Sequence, residues 1–190
     1  MSSKLWTWEK HGQHILTLQN RLGFNNSICF LDYCIEKDGT VRDLLNNTTI
    51  EEPETMYWLL THYAEAELVP LTNELIPYNK LPGGYAFFGA FRELAINPLV
   101  QEFGNNMDDF EESCLHFDGK ECSFGDTSFS IPVFPLVPIT LVLWEKTEEF
   151  PARCSVLYDS SASEYLPTED LAHLGELLTH RLIVFKRGYP

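Results

Sequence analysis

Between residues 127 and 158 the spacing of apolar residues falls to two, and no other stretch constrains the fold as much. Phe129, Ile131 and Val133 alternate with small or polar residues, as in a strand with one buried face. The segments 137–144 and 152–158 then read as two long strands joined by residues 145–151. This predicts an antiparallel pair at the heart of a sheet. Pro132, Pro135 and Pro138 mark bends or strand ends, because proline has no ladder donor.

On either side the helical period returns. Leu5, Trp8, Ile15, Leu18 and Leu22 share one face, and Gly23 is placed to end that helix. A second helix starts near Pro53, with Glu51, Glu52 and Glu54 at its positive end and Met56, Tyr57, Leu60 and Tyr63 as its stripe. Asn97-Pro98 reads as an N-cap and first helical residue, and Gly104 as the stop. Asp108 and Glu111 resemble a capping box ahead of Phe110, Cys114 and Phe117. In a last helix capped by Thr168, residues Leu171, Leu174, Leu178 and Leu182 form a clean stripe. The run 28–35 is apolar on both faces and suits one buried strand. Asp38-Gly39 suits a tight turn, and 68–81 an extended, ordered loop. The expectation is an α+β fold: a single domain over 1–190, with a mainly antiparallel sheet (central hairpin about 137–158) packed by several helices, including a C-terminal one.

Charge narrows function. Asp and Glu outnumber Lys and Arg by 28 to 13, a net −15, which repels phosphate backbones and anionic lipid heads. Neither nucleic acid nor a membrane is an expected partner. The only basic concentration is His180, Arg181, Lys186 and Arg187, read as charges offsetting a helix dipole and a frayed tail. The first ten residues show no apolar leader. The apolar run 134–144 is too short for a membrane helix, which needs about 20 residues. With five cysteines in no framework spacing, reduced thiols in a cytoplasmic protein are expected. Cys29 and Cys34, five apart in one strand, would face opposite sides. No metal site is expected: His11 and His14 lack a third ligand, and Cys114, His116 and Cys122 do not show two close cysteine pairs.

The most suggestive segment is Leu81-Pro-Gly-Gly-Tyr-Ala-Phe-Phe-Gly-Ala-Phe-Arg92. Gly83 and Gly84 allow close backbone approach or unusual torsions. Tyr85, Phe87, Phe88 and Phe91 could line a flat apolar pocket, with Arg92 holding an anionic group. The glycines are not expected to follow a strand and open a helix, so the segment reads as neither a dinucleotide fingerprint nor a P-loop. The plainer alternative is a Gly-rich turn entering a buried strand whose aromatics belong to the core. Among carboxylates, Asp126 after Gly125 and Asp159 at a strand end are placed to be fixed by turns.

A set of motifs then becomes recognisable: Leu81-Pro-Gly-Gly, Phe87-Phe88-Gly89, Phe103-Gly104, Gly125-Asp126, the run 134–144, Glu149-Phe-Pro-Ala152, Leu157-Tyr-Asp159 and Leu166-Pro-Thr-Glu-Asp-Leu171. In this order they resemble an uncharacterised bacterial and archaeal family, domain of unknown function 3786, over nearly the whole chain. The resemblance implies members mostly from anaerobes, some with an added cysteine-rich iron–sulfur segment, and so a link to redox or corrinoid-type one-carbon metabolism. This chain lacks that segment. Many relatives carry histidine where this chain has Arg92. The family brings no established catalytic residues.

Three functional expectations follow. The first is a non-enzymatic accessory domain binding a cofactor or small ligand, such as a tetrapyrrole or corrinoid. Its pocket would lie near 83–92, roofed by the strand ending in Trp144, with Asp126 as a further candidate. The second is an acidic interaction module docking an oxidoreductase or methyltransferase. The third is a hydrolase using Asp126, Asp159 or Glu149. A deep cavity lined by Phe87, Phe88 and Arg92 would favour ligand binding, and a filled core with a flat exposed apolar patch would favour docking.

Overall fold

The structure, a computed structural model, describes residues 5–188. The part of the N-terminal leader reading that precedes Leu5 lies outside them. The fold is α+β, with two antiparallel sheets.

The chain begins with helix α1 (Trp8–Leu16), then strands β1 (Ile28–Phe30), β2 (Tyr33–Ile35), β3 (Val41–Asp43) and β4 (Thr48–Thr49), a four-stranded meander. Helix α2 (Glu54–Glu65) follows, then strand β5 (Leu75–Pro77) and helix α3 (Gly84–Phe91). Helices α4 (Asn97–Phe103) and α5 (Met107–His116) precede strands β6 (Lys120–Glu121), β7 (Thr127–Phe134), β8 (Val137–Trp144) and β9 (Arg153–Asp159). Helices α6 (Ala162–Tyr165) and α7 (Thr168–Arg187) end the chain. The second sheet has the order β5-β9-β8-β7-β6. Its centre is the antiparallel β8–β9 pair, in register from Ile139 opposite Tyr158 to Trp144 opposite Arg153.

The period-two reading holds on β7, where Phe129, Ile131 and Val133 are buried and Ser130 and Pro132 between them are not, whereas β8 is apolar and buried on both faces, with Ile139, Leu141 and Leu143 fully enclosed. Helix α5 packs on β7 and on α7, and α4 packs on β9. The α7 stripe of Leu171, Leu174, Leu178 and Leu182 is buried as its spacing predicts. Gly175 lets α7 cross tightly, since a Cβ there would stand 2.6 Å from the Tyr158 hydroxyl and 2.7 Å from the Phe91 ring.

Four expectations are corrected. The run 28–35 is a hairpin and not one strand. Leu31 and Asp32, at φ +47° and +60°, make its two-residue turn. Cys29 and Cys34 therefore face each other across the ladder and are joined by a disulfide, where opposed, reduced thiols were expected. The N-cap of α5 is Asn106, whose side chain accepts from the Asp109 N–H. Asn97 is not a cap: residues 84–103 run as one helical course through a π-turn over Arg92–Ile96. Pro98 explains that turn. It has no N–H to return to the Leu94 carbonyl and its ring crowds that oxygen, so the backbone widens just ahead of it.

The basic residues of α7 are not a frayed tail. Arg181 is fully buried and makes paired 2.9 Å bonds to both oxygens of Asp43, a third 2.9 Å bond to the Leu31 carbonyl, and a cation–π contact with Tyr33. Lys186 and Arg187 both pair with Glu102. Among the described residues no helix is long and apolar enough to cross a membrane.

Candidate functional site

The aromatic segment forms a helix. Gly83 adopts φ +74°, in the left-handed region. At Gly84 a Cβ would stand 2.1 Å from the Tyr78 carbonyl oxygen, so only glycine lets α3 start against this turn. The glycines thus do follow a strand, β5, and open a helix, contrary to expectation. One 3-10 turn, Tyr78–Lys80, intervenes.

Helix α3 reads Gly-Tyr-Ala-Phe-Phe-Gly-Ala-Phe and carries no charge. Its inner face is anchored by Phe91, which is buried and stacked on Tyr78 with ring centroids 4.2 Å apart. Its outer face is in solvent. Tyr85 is 83% exposed, Phe87 63% and, past the helix end, Leu94 56%. Ala86, Gly89 and Ala90 are exposed between them, and Phe88 is half-buried. Arg92 is exposed beside Glu93, 3.5 Å away.

These residues do not converge on one deep cavity. A cleft of about 230 Å³ lies between α3 and α7, lined by Phe87, Phe91 and His173 and edged by Glu169 and Glu176. Phe88 and Arg92 are not among its lining residues. Trp144 does not roof it. Phe91 contacts Tyr158, whereas Trp144 lies opposite Arg153 on the same strand. Those two positions on β9 are five residues, roughly 17 Å, apart.

Trp144 and Asp126 instead share a second cleft, of about 440 Å³, at the far end of the β8–β9 hairpin. There the Arg153 guanidinium lies 4.3 Å over the Trp144 ring, and Phe150, 68% exposed, forms part of the wall. Asp126 is committed to the turn, accepting the Glu145 N–H at 2.8 Å. Asp159 sits at the opposite end of β9, away from the hairpin end that holds Asp126 and the loop bearing Glu149, so the three carboxylates weighed for hydrolysis are not gathered at one place. Both its oxygens are occupied: Ser161 and Thr72 each give a hydroxyl and an N–H to Oδ1, and Asn73 gives an N–H to Oδ2. Burial disfavours its charge, but the donors of Ser161 and Thr72 outweigh this and hold its carboxyl down at about 2.

The family model described as a domain of unknown function (DUF3786) matches residues 20–181. The chain belongs to that family. No curated protein and no solved structure matches it. The match covers both aromatic clefts, so each is part of the DUF3786 domain and not an appendage to it.

Sequence reasoning passed over two groupings in this DUF3786 domain. His62 on α2 holds Asp170 on α7 through a 2.7 Å bond from Nδ1, with the carboxylate almost fully enclosed. Burial pushes the Asp170 carboxyl up, and the bond from His62 opposes it. Trp6 and Trp58 meet the His62 ring edge-on. The other grouping is the disulfide hairpin with the Arg181–Asp43 pair beneath it. Contacts between residues distant in sequence make the His62–Asp170 and Arg181–Asp43 pairs, whereas the disulfide depends on the local turn at Leu31-Asp32. Among the described residues no group of three or more His, Cys, Asp or Glu side chains is arranged to hold a metal ion.

Proposed function

We propose that this protein is an interaction module whose helix α3 docks onto an apolar surface of a protein partner edged with lysine and arginine. One observation carries the reading: α3 is apolar on every side, yet its outer face lies in solvent. A helix apolar all round is normally buried, and exposed apolar surface of this kind, with Tyr85 and Phe87 on its two flanks, marks contact sites. Tyr85 and Phe87 supply aromatic anchors of the type that dominate binding energy. Glu93, Glu169 and Glu176 border the patch, and the chain carries net −15. This charge favours a basic rim on the partner and opposes pairing with a second copy. An oxidoreductase or methyltransferase remains the kind of partner that the family setting favours.

The test compares the wild-type protein with Phe87→Glu in parallel captures from lysate of the source cells, at low and high salt. Both residues of the anchor pair are exposed, so the variant is expected to melt within about 1 °C of wild type. The expected result is a partner held by the wild type, released by salt and lost from the variant. Identical captures from the two proteins would sink the proposal. Light scattering showing a wild-type dimer that the variant abolishes would replace the partner with a second copy.

A second reading rests on the hairpin cleft. The Trp144 and Phe150 rings beside Arg153 suit a planar molecule with an anionic arm, which keeps the cofactor expectation alive at this place and not at 83–92. Titration with tetrapyrrole, corrinoid and flavin should quench tryptophan fluorescence in the wild type and much less in Trp144→Leu. No quenching by any of the three removes this reading.

A further inference from the structure

We propose that Cys29 and Cys34 form a thiol–disulfide exchange site on the outer face of the first sheet, reactive toward low-molecular-weight thiols of the glutathione type. Strand alternation sets the geometry. Ile28, Phe30, Tyr33 and Ile35 point into the core, which leaves the two cysteines on the opposite face, Cys29 exposed and Cys34 half-buried. The turn makes Phe30 and Tyr33 the closing hydrogen-bonded pair, so Cys29 and Cys34 occupy the next, non-hydrogen-bonded position. Their Cα atoms are 4.2 Å apart, the close spacing of such positions.

A disulfide here contributes less to the fold than a long-range bridge would. Its sequence separation is only 5, so it closes a short loop and restricts the unfolded chain less than a bridge between distant residues. The hairpin tip is held by other means. Arg181 bonds the Leu31 carbonyl, and His116 Nε2 lies 2.7 Å from Asp32. Making or breaking the bond therefore leaves the surrounding contacts in place, as an exchange site requires.

The neighbouring charge sets a direction for the exchange. Arg42 stands directly opposite Cys34 on β3, on the same outer face, and is paired with Glu36. A guanidinium beside a departing thiolate favours its release, to an extent that Glu36 moderates. The attacking thiolate bonds to the Sγ of exposed Cys29, the Sγ–Sγ bond breaks, and its electron pair leaves on Cys34 as thiolate. A second thiolate then attacks the external sulfur of the mixed disulfide, forming a small-molecule disulfide and releasing the Cys29 thiolate. Two thiols are oxidised, the protein disulfide gains two electrons, and solvent supplies the protons. Cys114 does not compete: it is fully buried, and burial pushes its thiol up.

The test equilibrates the full protein in buffers of varied reduced and oxidised glutathione, followed by alkylation, peptide mapping and near-ultraviolet circular dichroism. The pair should pass between disulfide and dithiol with the aromatic fine structure of the dichroism spectrum retained, while the buried Cys114 stays unlabelled until denaturation. Cys34→Ser should leave Cys29 carrying one glutathione. Arg42→Gln should slow reduction by roughly two- to five-fold. Either of two outcomes overturns the proposal: thiols that stay free in pure oxidised glutathione, or a disulfide that is reduced only together with loss of the tertiary signal. An unchanged rate in Arg42→Gln overturns Cys34 as the leaving sulfur.

Discussion

Asp159 ends β9 with both its oxygens accepting hydrogen bonds, and this ties its charge to the stability of the molecule. Its donors come from Thr72 and Asn73 on the approach to β5 and from Ser161 on the approach to α6. One carboxylate therefore fixes the corner where an edge strand and two connections meet. Its pKa lies at about 2 in the folded protein, below the roughly 3.9 of an unfolded aspartate. A lowered pKa gives stability that is full above the unfolded value and is lost as pH falls from about 4 towards about 2. The size is about 2.6 kcal/mol, from 1.36 kcal/mol per unit. Urea unfolding of the wild type between pH 5 and 2 should show this slope. Asp159→Asn should be less stable at pH 5, because its amide would face the Asn73 N–H, and its stability should fall less steeply with acid. Parallel slopes for the two proteins would refute this account.

At the level of elements, what the sequence made legible follows from how local each cause is. The β8–β9 pair, α2 and the α7 stripe were readable because burial imposes a period on consecutive residues. The hairpin at 28–35 was not, because its turn is Leu31-Asp32 and lacks the glycine or asparagine that positive φ usually demands. Leu31 bears a strain of roughly 1 kcal/mol there, offset by its own burial and by the Arg181 bond to its carbonyl. Helix α3 was hidden for another reason. Its outer face is as apolar as its inner one, so no amphipathic period marks it, and two glycines ahead of it resemble a turn. Asn97-Pro98 carried a true signal, but the helix arrived from upstream and the π-turn absorbed the proline. As for the candidate site, its residues were visible as chemistry but not as places. Nothing in the chain order separates Trp144 and Asp126 from the 83–92 segment, because that separation is set by the register of β8 on β9.

For the molecule as a whole, the Arg181–Asp43 pair joins parts of the chain that local structure leaves independent. Arg181 lies on the last helix, 138 residues from Asp43 and 150 from Leu31, and it connects α7 to the first sheet. Burial works against the charge on Asp43, but the Arg181 donors, helped by Asn46, outweigh it and keep its carboxyl below the usual range. Desolvation makes such a pair a weak net stabiliser, yet removing one partner strands the other in the core. Arg181→Met should therefore cost about 3–5 kcal/mol in urea unfolding. Hydrogen exchange should rise first in residues 28–49, the part of the fold that the guanidinium holds. Adding Asp43→Asn to that variant removes the stranded charge and should recover part of the loss, a coupling that a double-mutant cycle measures. A cost below about 1 kcal/mol for Arg181→Met, the range of an exposed ion pair, would mean that the first sheet is held by its apolar contacts alone.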